Sequence, residues 1–300
     1  VGTNVLLSGD AGTDWSSIYT TINSVNLILK HTPDISFVNE ATRNEVMANA
    51  YFLRAYCYFT LVRVFGDCPL LTSGFESEKQ EDMYPTRTAA SEVYAQVEAD
   101  IEEALKLMPA SSKQLHKASP AAVNMLRTEY YLWKAKRLNG GSAALNTAQA
   151  SVDAVLKADY TLLPNFADVF DLNNKANSEL IWTLPYIINE NVTPGTSPNF
   201  FAYYLAPNGD RTRLREAGYT EDEVPAGSHA QYVIPTQAYC DFLAEDARDT
   251  RTDVSVRVFK DKFLTEEAQI KRMIVKFKGS FANDTRSFNS DVPVYRLANG

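Results

Sequence analysis

Residues 48–72, ANAYFLRAYCYFTLVRVFGDCPLLT, carry apolar side chains at helical spacing until Gly66, Asp67, Cys68 and Pro69 break the pattern. Extended back to about Asn39, the stripe holds Met47, Ala50, Tyr51, Ala55, Tyr58, Leu61, Val62 and Phe65, a spacing that predicts a helix. Rings at 51, 52, 56, 58 and 59 reach more than one face, which predicts packing against helices on both sides.

Upstream, Ile18, Ile22, Val25 and Leu29 line one face of a helix that begins at Asp14 or Trp15 and ends at Pro33. Downstream, residues 66–87 read as a loop, after which Thr88 offers an N-cap for a helix over 89–107. Val93, Val97, Ile101, Ala104 and Leu105 form its stripe, and Glu92, Glu98, Asp100, Glu102 and Glu103 are assigned to a solvated face. Ser119 and Pro120 pair a capping hydroxyl with the one helical position where proline costs little, starting a helix that runs to about Arg137. Asn139, Gly140 and Gly141 break the chain before another helix over 143–157, with Ala144, Ala148, Val152 and Val155 or Leu156 inward. These pairs, with small residues at their crossings, predict a mainly α, tetratricopeptide-like helical repeat scaffold, although no strict period is visible. Beyond 158 the texture changes to long irregular loops with short helices and a few short strands, with MIVKF (273–277) and VPVYRL (292–297) as later extended candidates. The expected organisation is one domain over 1–300, a scaffold at 14–157 followed by a loop-rich part at 158–300. Both ends read as cuts in a longer protein, because the opening VGTNVLLSGDAGTDW has neither a basic leader nor a lipobox cysteine.

The composition is that of an ordinary globular chain: 45% of the 300 residues are hydrophobic and 22% charged, enough for one large core or two fused ones. A net charge of −8 with dispersed Lys and Arg argues against nucleic acid as a partner. No apolar run of about 18 residues occurs, so no helix is expected to cross a membrane. Cys57, Cys68 and Cys240 are too few and too irregular for a disulfide framework or a zinc knuckle. With 16 Tyr and 15 Phe there is more ring surface than a helical core needs, and tyrosine suits sugar or interface contacts, although most rings belong to a core.

Catalytic framing is missing. His31, His116 and His229 have no ligand-spaced neighbours, and no HExxH, nucleophile elbow, phosphate loop or dinucleotide fingerprint occurs. The acids sit at helical spacing, without the framing of a glycosidase carboxylate pair. The chain is therefore expected not to be an enzyme, a helical-barrel glycosidase or lyase being the catalytic alternative. No cofactor is implied, calcium being the alternative kept open. DLNNKANSE (171–179) alternates oxygens somewhat like a calcium loop, but Lys175 and Ala176 stand where an oxygen ligand and a glycine are wanted.

The segment 48–72 is similar to the most recognisable block of the SusD/RagB family of outer-membrane nutrient-binding lipoproteins. Three further blocks follow in the family's order: PTRTAASEVYAQVEADIEEALKLMP (85–109), KASPAAVNMLRTEYYLWKAK (117–136) and YTLLPNFADVFDLNNKANSELIWTLPY (160–186). Trp15, Tyr19, Ile22 and Asn26 resemble its first helix, and VPVYRLA (292–298) resembles the start of its C-terminal helical part. The resemblance implies a protein that catalyses nothing, captures oligosaccharide, polysaccharide or in some relatives peptide, and passes it to a SusC-like TonB-dependent transporter. It also implies a place on the extracellular face of the outer membrane, held by an N-terminal lipid anchor that is not in these residues. The loop-rich part would then bind the ligand. The candidate residues are Asn4, Asp10 and Trp15 before the first helix, and Phe200, Phe201, Tyr203, Tyr204, Asn208, Asp210 and Arg211 in FFAYYLAPNGDR (200–211). No family motif fixes them one by one. Rings offer stacking to sugar C–H faces, and amides and charges offer partners to hydroxyls. A tetratricopeptide-like adaptor for a protein partner is the competing reading.

Overall fold

In the computed structural model, which describes residues 14–77, 84–194, 205, 210–227, 234–246, 248–260 and 270–300, the opening stripe is one long helix, α2 (Glu40–Phe65). The Asn39 side chain starts it by accepting the Thr42 N–H at 2.8 Å. Gly66 stops it at φ 69°, ψ −128°, a backbone conformation open essentially to glycine alone. Phe52, Ala55, Tyr58, Phe59 and Leu61 are fully buried on more than one side. The reason is that α2 lies between α1 (Ser16–His31) and α3 (Ala90–Leu107). α4 (Pro120–Arg137) packs on α3, and α5 (Gly141–Leu156) packs on α4. Ser119 caps α4 as its sequence predicts, its hydroxyl accepting the Ala122 N–H at 3.1 Å ahead of Pro120. This is the tetratricopeptide-like succession of antiparallel helices. The chain forms two compact units, Val1–Asp159 with Gly300 and Tyr160–Asn299, and these helices make up the first.

Two expectations for α3 are corrected. Ala89, not Thr88, holds the N-cap position and makes no side-chain cap bond. Asp67 instead brings its carboxylate to the Ala90 N–H at 2.9 Å, while the Thr88 backbone is drawn into a bridge with Cys68. Nor are all the acids of α3 solvated. Asp100 is 1% exposed and accepts two hydrogen bonds from Arg54 of α2, at 2.8 Å from Nε and 2.6 Å from Nη2. Arg54 also donates to Asn26 Oδ1 of α1 at 2.8 Å, so one guanidinium ties three helices. Burial pulls its pKa down, but the bonds and charge of Asp100 outweigh burial and hold it above the ordinary guanidinium value. Glu98 is half-buried and receives Lys134 Nζ at 2.7 Å and the hydroxyls of Tyr130 and Tyr131 at 2.9 and 2.8 Å, all from α4. Burial would raise its carboxyl, yet these bonds hold it below the usual range.

The segment after α2 has little regular structure, but the helices satisfy its backbone. The Tyr58 hydroxyl donates to the Leu71 carbonyl at 2.8 Å and accepts the Leu71 N–H at 2.7 Å. Asn26 Nδ2 donates to the same carbonyl at 2.9 Å, and the Tyr19 hydroxyl donates to the Pro69 carbonyl at 2.7 Å. Asn23 exchanges two bonds with the Phe75 backbone, at 2.6 and 3.3 Å. These bonds meet the requirement that buried peptide groups be paired.

The second unit is built from short pieces. β1 (Leu180–Leu184) pairs antiparallel with β6 (Val292–Arg296), β2 (Val256–Lys260) with β3 (Ile270–Ile274), and β4 (Ser280–Ala282) with β5 (Thr285–Ser287). Asn283 and Asp284, both at positive φ, form the two-residue turn of the last hairpin. Leu205, Leu214, Val224, Ala226, Met273, Val275 and Phe288 form a common core, to which Leu214 comes from α6 (Arg211–Glu216). α7 (Gln237–Ala244) and α8 (Arg251–Ser255) lead into β2. Among the described residues no helix is long and apolar enough to cross a membrane.

Candidate functional site

Trp15 sits just before α1 with its ring half-exposed. The ring lies edge-on to Phe65 at 5.1 Å between centroids and to Tyr19 at 5.8 Å, and the Arg87 guanidinium stands 4.8 Å from its centroid. Trp15 thus joins the start of α1 to the end of α2 and the approach to α3, with part of its ring left open. Asp210 pairs with Arg213 at 3.0 Å. Arg211 donates from Nε to Glu221 at 2.6 Å and stands 5.1 Å from the Phe281 ring centroid. Glu221 also receives the buried Arg286 at 2.6 Å, so these side chains fasten 210–226 to the β4–β5 hairpin. Asn4, Asp10, Phe200, Phe201, Tyr203, Tyr204 and Asn208 lie outside the described residues.

The second unit also holds a cavity of about 320 Å³, small but within the range of ligand pockets. Its wall comes from the 3₁₀ turn Phe166–Phe170 and the residues after it, from α8 and β2, and from the strand exit after β3. Lys276 stands there with its ammonium 4.2, 5.0 and 5.9 Å from the ring centroids of Phe170, Phe166 and Phe277. Burial lowers its pKa to about 8, and the positive charge of Arg296 adds to the effect. Arg257, on the same wall, has a buried Nε with no hydrogen-bond acceptor. Lys278 is paired with Asp222 at 3.0 Å.

Lys276, Arg257 and Phe170 were not among the residues singled out from sequence. MIVKFK reads only as an extended run, and the two nearer rings around Lys276, Phe166 and Phe170, come from a distant turn that sequence does not connect to it. The polar stretch 171–179 is used internally. Asp171 accepts the Asn173 N–H at 2.9 Å, the Asn177 amide donates to the Asn174 carbonyl at 2.9 Å, and Glu179 receives the Leu163 N–H at 3.0 Å and Arg296 at 3.1 Å. Among the described residues no group of three His, Cys, Asp or Glu is placed to hold a metal ion.

The described residues thus form a tetratricopeptide-like helical unit and a loop-and-hairpin unit that holds a small cavity. Known proteins share this architecture. Residues 4–132 match the family model SusD-like, described as starch-binding associating with outer membrane. SusD-like protein P2 of Formosa agariphila is 26% identical over 81% of this chain and 44% of its own length, and SusD-like protein P38 of the same organism is 30% identical over 65% and 39%. Among solved structures, Bacteroides fragilis NanU and a SusD superfamily protein of Bacteroides vulgatus each superpose with a TM-score of 0.80 at 27% identity over 95% of this chain, covering 59% and 60% of theirs. A laminarin-binding SusD-like protein shares the fold at TM-score 0.71 and 22% identity. The chain is similar to SusD-like proteins along most of its length, and it spans less than half the length of the curated relatives it matches.

Proposed function

We propose that this chain is part of a non-catalytic, surface-exposed nutrient-binding protein that captures oligosaccharides or polysaccharides and passes them to a SusC-like TonB-dependent transporter in the outer membrane. The observation that carries this reading is the match to a SusD-superfamily structure along 95% of the chain at 27% identity, supported by the family's printed starch-binding, outer-membrane description. The two units act together as one SusD-like domain, the helices as a stiff wall and the loop-rich part as the ligand side. Trp15 and the residues named in 200–211, with Asn4 and Asp10, supply the ring and amide contacts to sugar.

Calorimetric titration of the purified chain with a panel of oligosaccharides and peptides tests this, together with an assay for newly released reducing ends. Saturable saccharide binding without hydrolysis is expected, as is co-purification with a TonB-dependent transporter from outer-membrane extracts. Binding confined to peptides would select the peptide-binding form of the family. Sugar-independent capture of a protein partner, with no saccharide bound, would select the adaptor reading.

A further inference from the structure

Two cations, Lys276 and Arg257, line the 320 Å³ cavity, and Lys276 has no anion of its own among the described residues. Lys276 makes no ion pair or hydrogen bond among the described residues, and three phenyl rings replace the water its ammonium would otherwise keep. Arg257 leaves its Nε buried without an acceptor, with the charges of Asp222 and Glu223 near enough to act on it. A buried donor left unmatched is costly, and an unpaired ammonium in a ring-lined pocket is more so. An isolated, desolvated cation facing a cavity is the arrangement that a bound anion completes.

None of the other lining charges pairs with Lys276. Lys278 is held by Asp222, Asp171 directs an oxygen to the Asn173 N–H, and Asp253 is exposed. The two carboxylates can accept sugar hydroxyls, and Phe170 offers a ring to sugar C–H groups. We propose that this cavity is a subsite for an acidic saccharide, with Lys276 and Arg257 receiving the oxyanion, a carboxylate or a sulfate ester, of a single sugar ring. This inference rests on the glycan-binding reading above and narrows it to a substrate class.

The test is calorimetry on the full chain with oligosaccharides bearing uronic acid, their carboxyl-reduced neutral counterparts, and sulfated neutral counterparts. An acidic form bound at least tenfold tighter than its neutral counterpart is expected. Lys276→Met should erase that preference, and Lys276→Arg should keep most of it. Whether uronate or sulfate is the stronger arm identifies the oxyanion. A second readout needs no variant. An anion beside Lys276 raises its pKa, so wild-type protein should take up a proton on binding the acidic sugar near pH 8.5, detected as a dependence of heat on buffer. The charged groups around Lys276 in that titration are Arg296 from β6 and, on the cavity wall, Asp171, Asp253, Arg257 and Lys278. Equal affinity for acidic and neutral forms overturns the subsite and spares the glycan reading, as does undiminished preference in Lys276→Met. Absence of binding to every saccharide overturns both.

Discussion

Replacing Asp100 by leucine removes the acceptor of a bidentate bond and leaves the Arg54 guanidinium, whose side chain is 7% exposed, with only the Asn26 amide oxygen at 2.8 Å and the Thr72 carbonyl at 3.4 Å. A buried charge stripped of its partner costs about 3–5 kcal/mol, a large part of the roughly 5–15 kcal/mol that a domain has in total. With a urea slope of about 2 kcal/mol/M, the midpoint should fall by about 2 M, followed by far-ultraviolet circular dichroism, which reports mainly on the helical unit. The double variant Arg54→Met, Asp100→Leu removes both charges and fills the space with apolar atoms. It should recover to near wild type or above, because the pair's own attraction does little more than offset its desolvation. The two single costs therefore should not add, and the difference is the coupling between the residues. A single Asp100→Leu cost below about 1 kcal/mol, or a double variant as weak as the sum of the singles, would refute this account of the three-helix tie.

Glu98→Gln should destabilise the protein by about 1–3 kcal/mol at pH 7, because its charged bonds to Lys134, Tyr130 and Tyr131 are weakened. Its folded carboxyl lies below the ordinary value of about 4.3, so the stabilisation is present above that pH and is lost as pH falls through the folded value. Wild type and variant should converge in acid, and a gap that persists unchanged below pH 3 would contradict the assignment. Gly279→Ala places a methyl 2.0 Å from the Ser287 carbonyl oxygen at a φ of 69°, and should disrupt the second unit by several kcal/mol, about 1–3 of it from backbone strain alone. Chemical denaturation followed by near-ultraviolet dichroism measures it, and a cost under 1 kcal/mol would show that β5 can yield. Trp15→Ala should cost about 2 kcal/mol by removing a half-exposed ring from Phe65 and Tyr19, and should weaken saccharide binding severalfold while the fold is intact. Unchanged affinity in that variant would assign Trp15 to packing alone.

The helical half was legible where its signals are local. Ser119 acts on an amide three positions away with Pro120 beside it, and the rings of α2 announce by their spread that both sides are covered. Contacts that join distant segments were not legible. Periodicity separates Asp100 from the Val93–Ile101 stripe but cannot say that Arg54, 46 positions earlier, waits opposite it. The cap of α3 comes from Asp67, across a loop, and no reading of Thr88 anticipates it. The same holds for the cavity: a lysine in an extended run looks like any solvated cation until the Phe166–Phe170 turn closes around it.

The stretch from Pro69 to Phe75 borrows its order from its neighbours. Side chains of Tyr19, Asn23, Asn26 and Tyr58 answer its peptide groups as an adjoining ladder would. Deuterium should therefore enter the Leu71 and Phe75 amides no faster than it enters the interior of α2, and proteases should find no cleavable hinge between them. A segment that looks like a loose connector would in that case melt only together with the two helices that grip it.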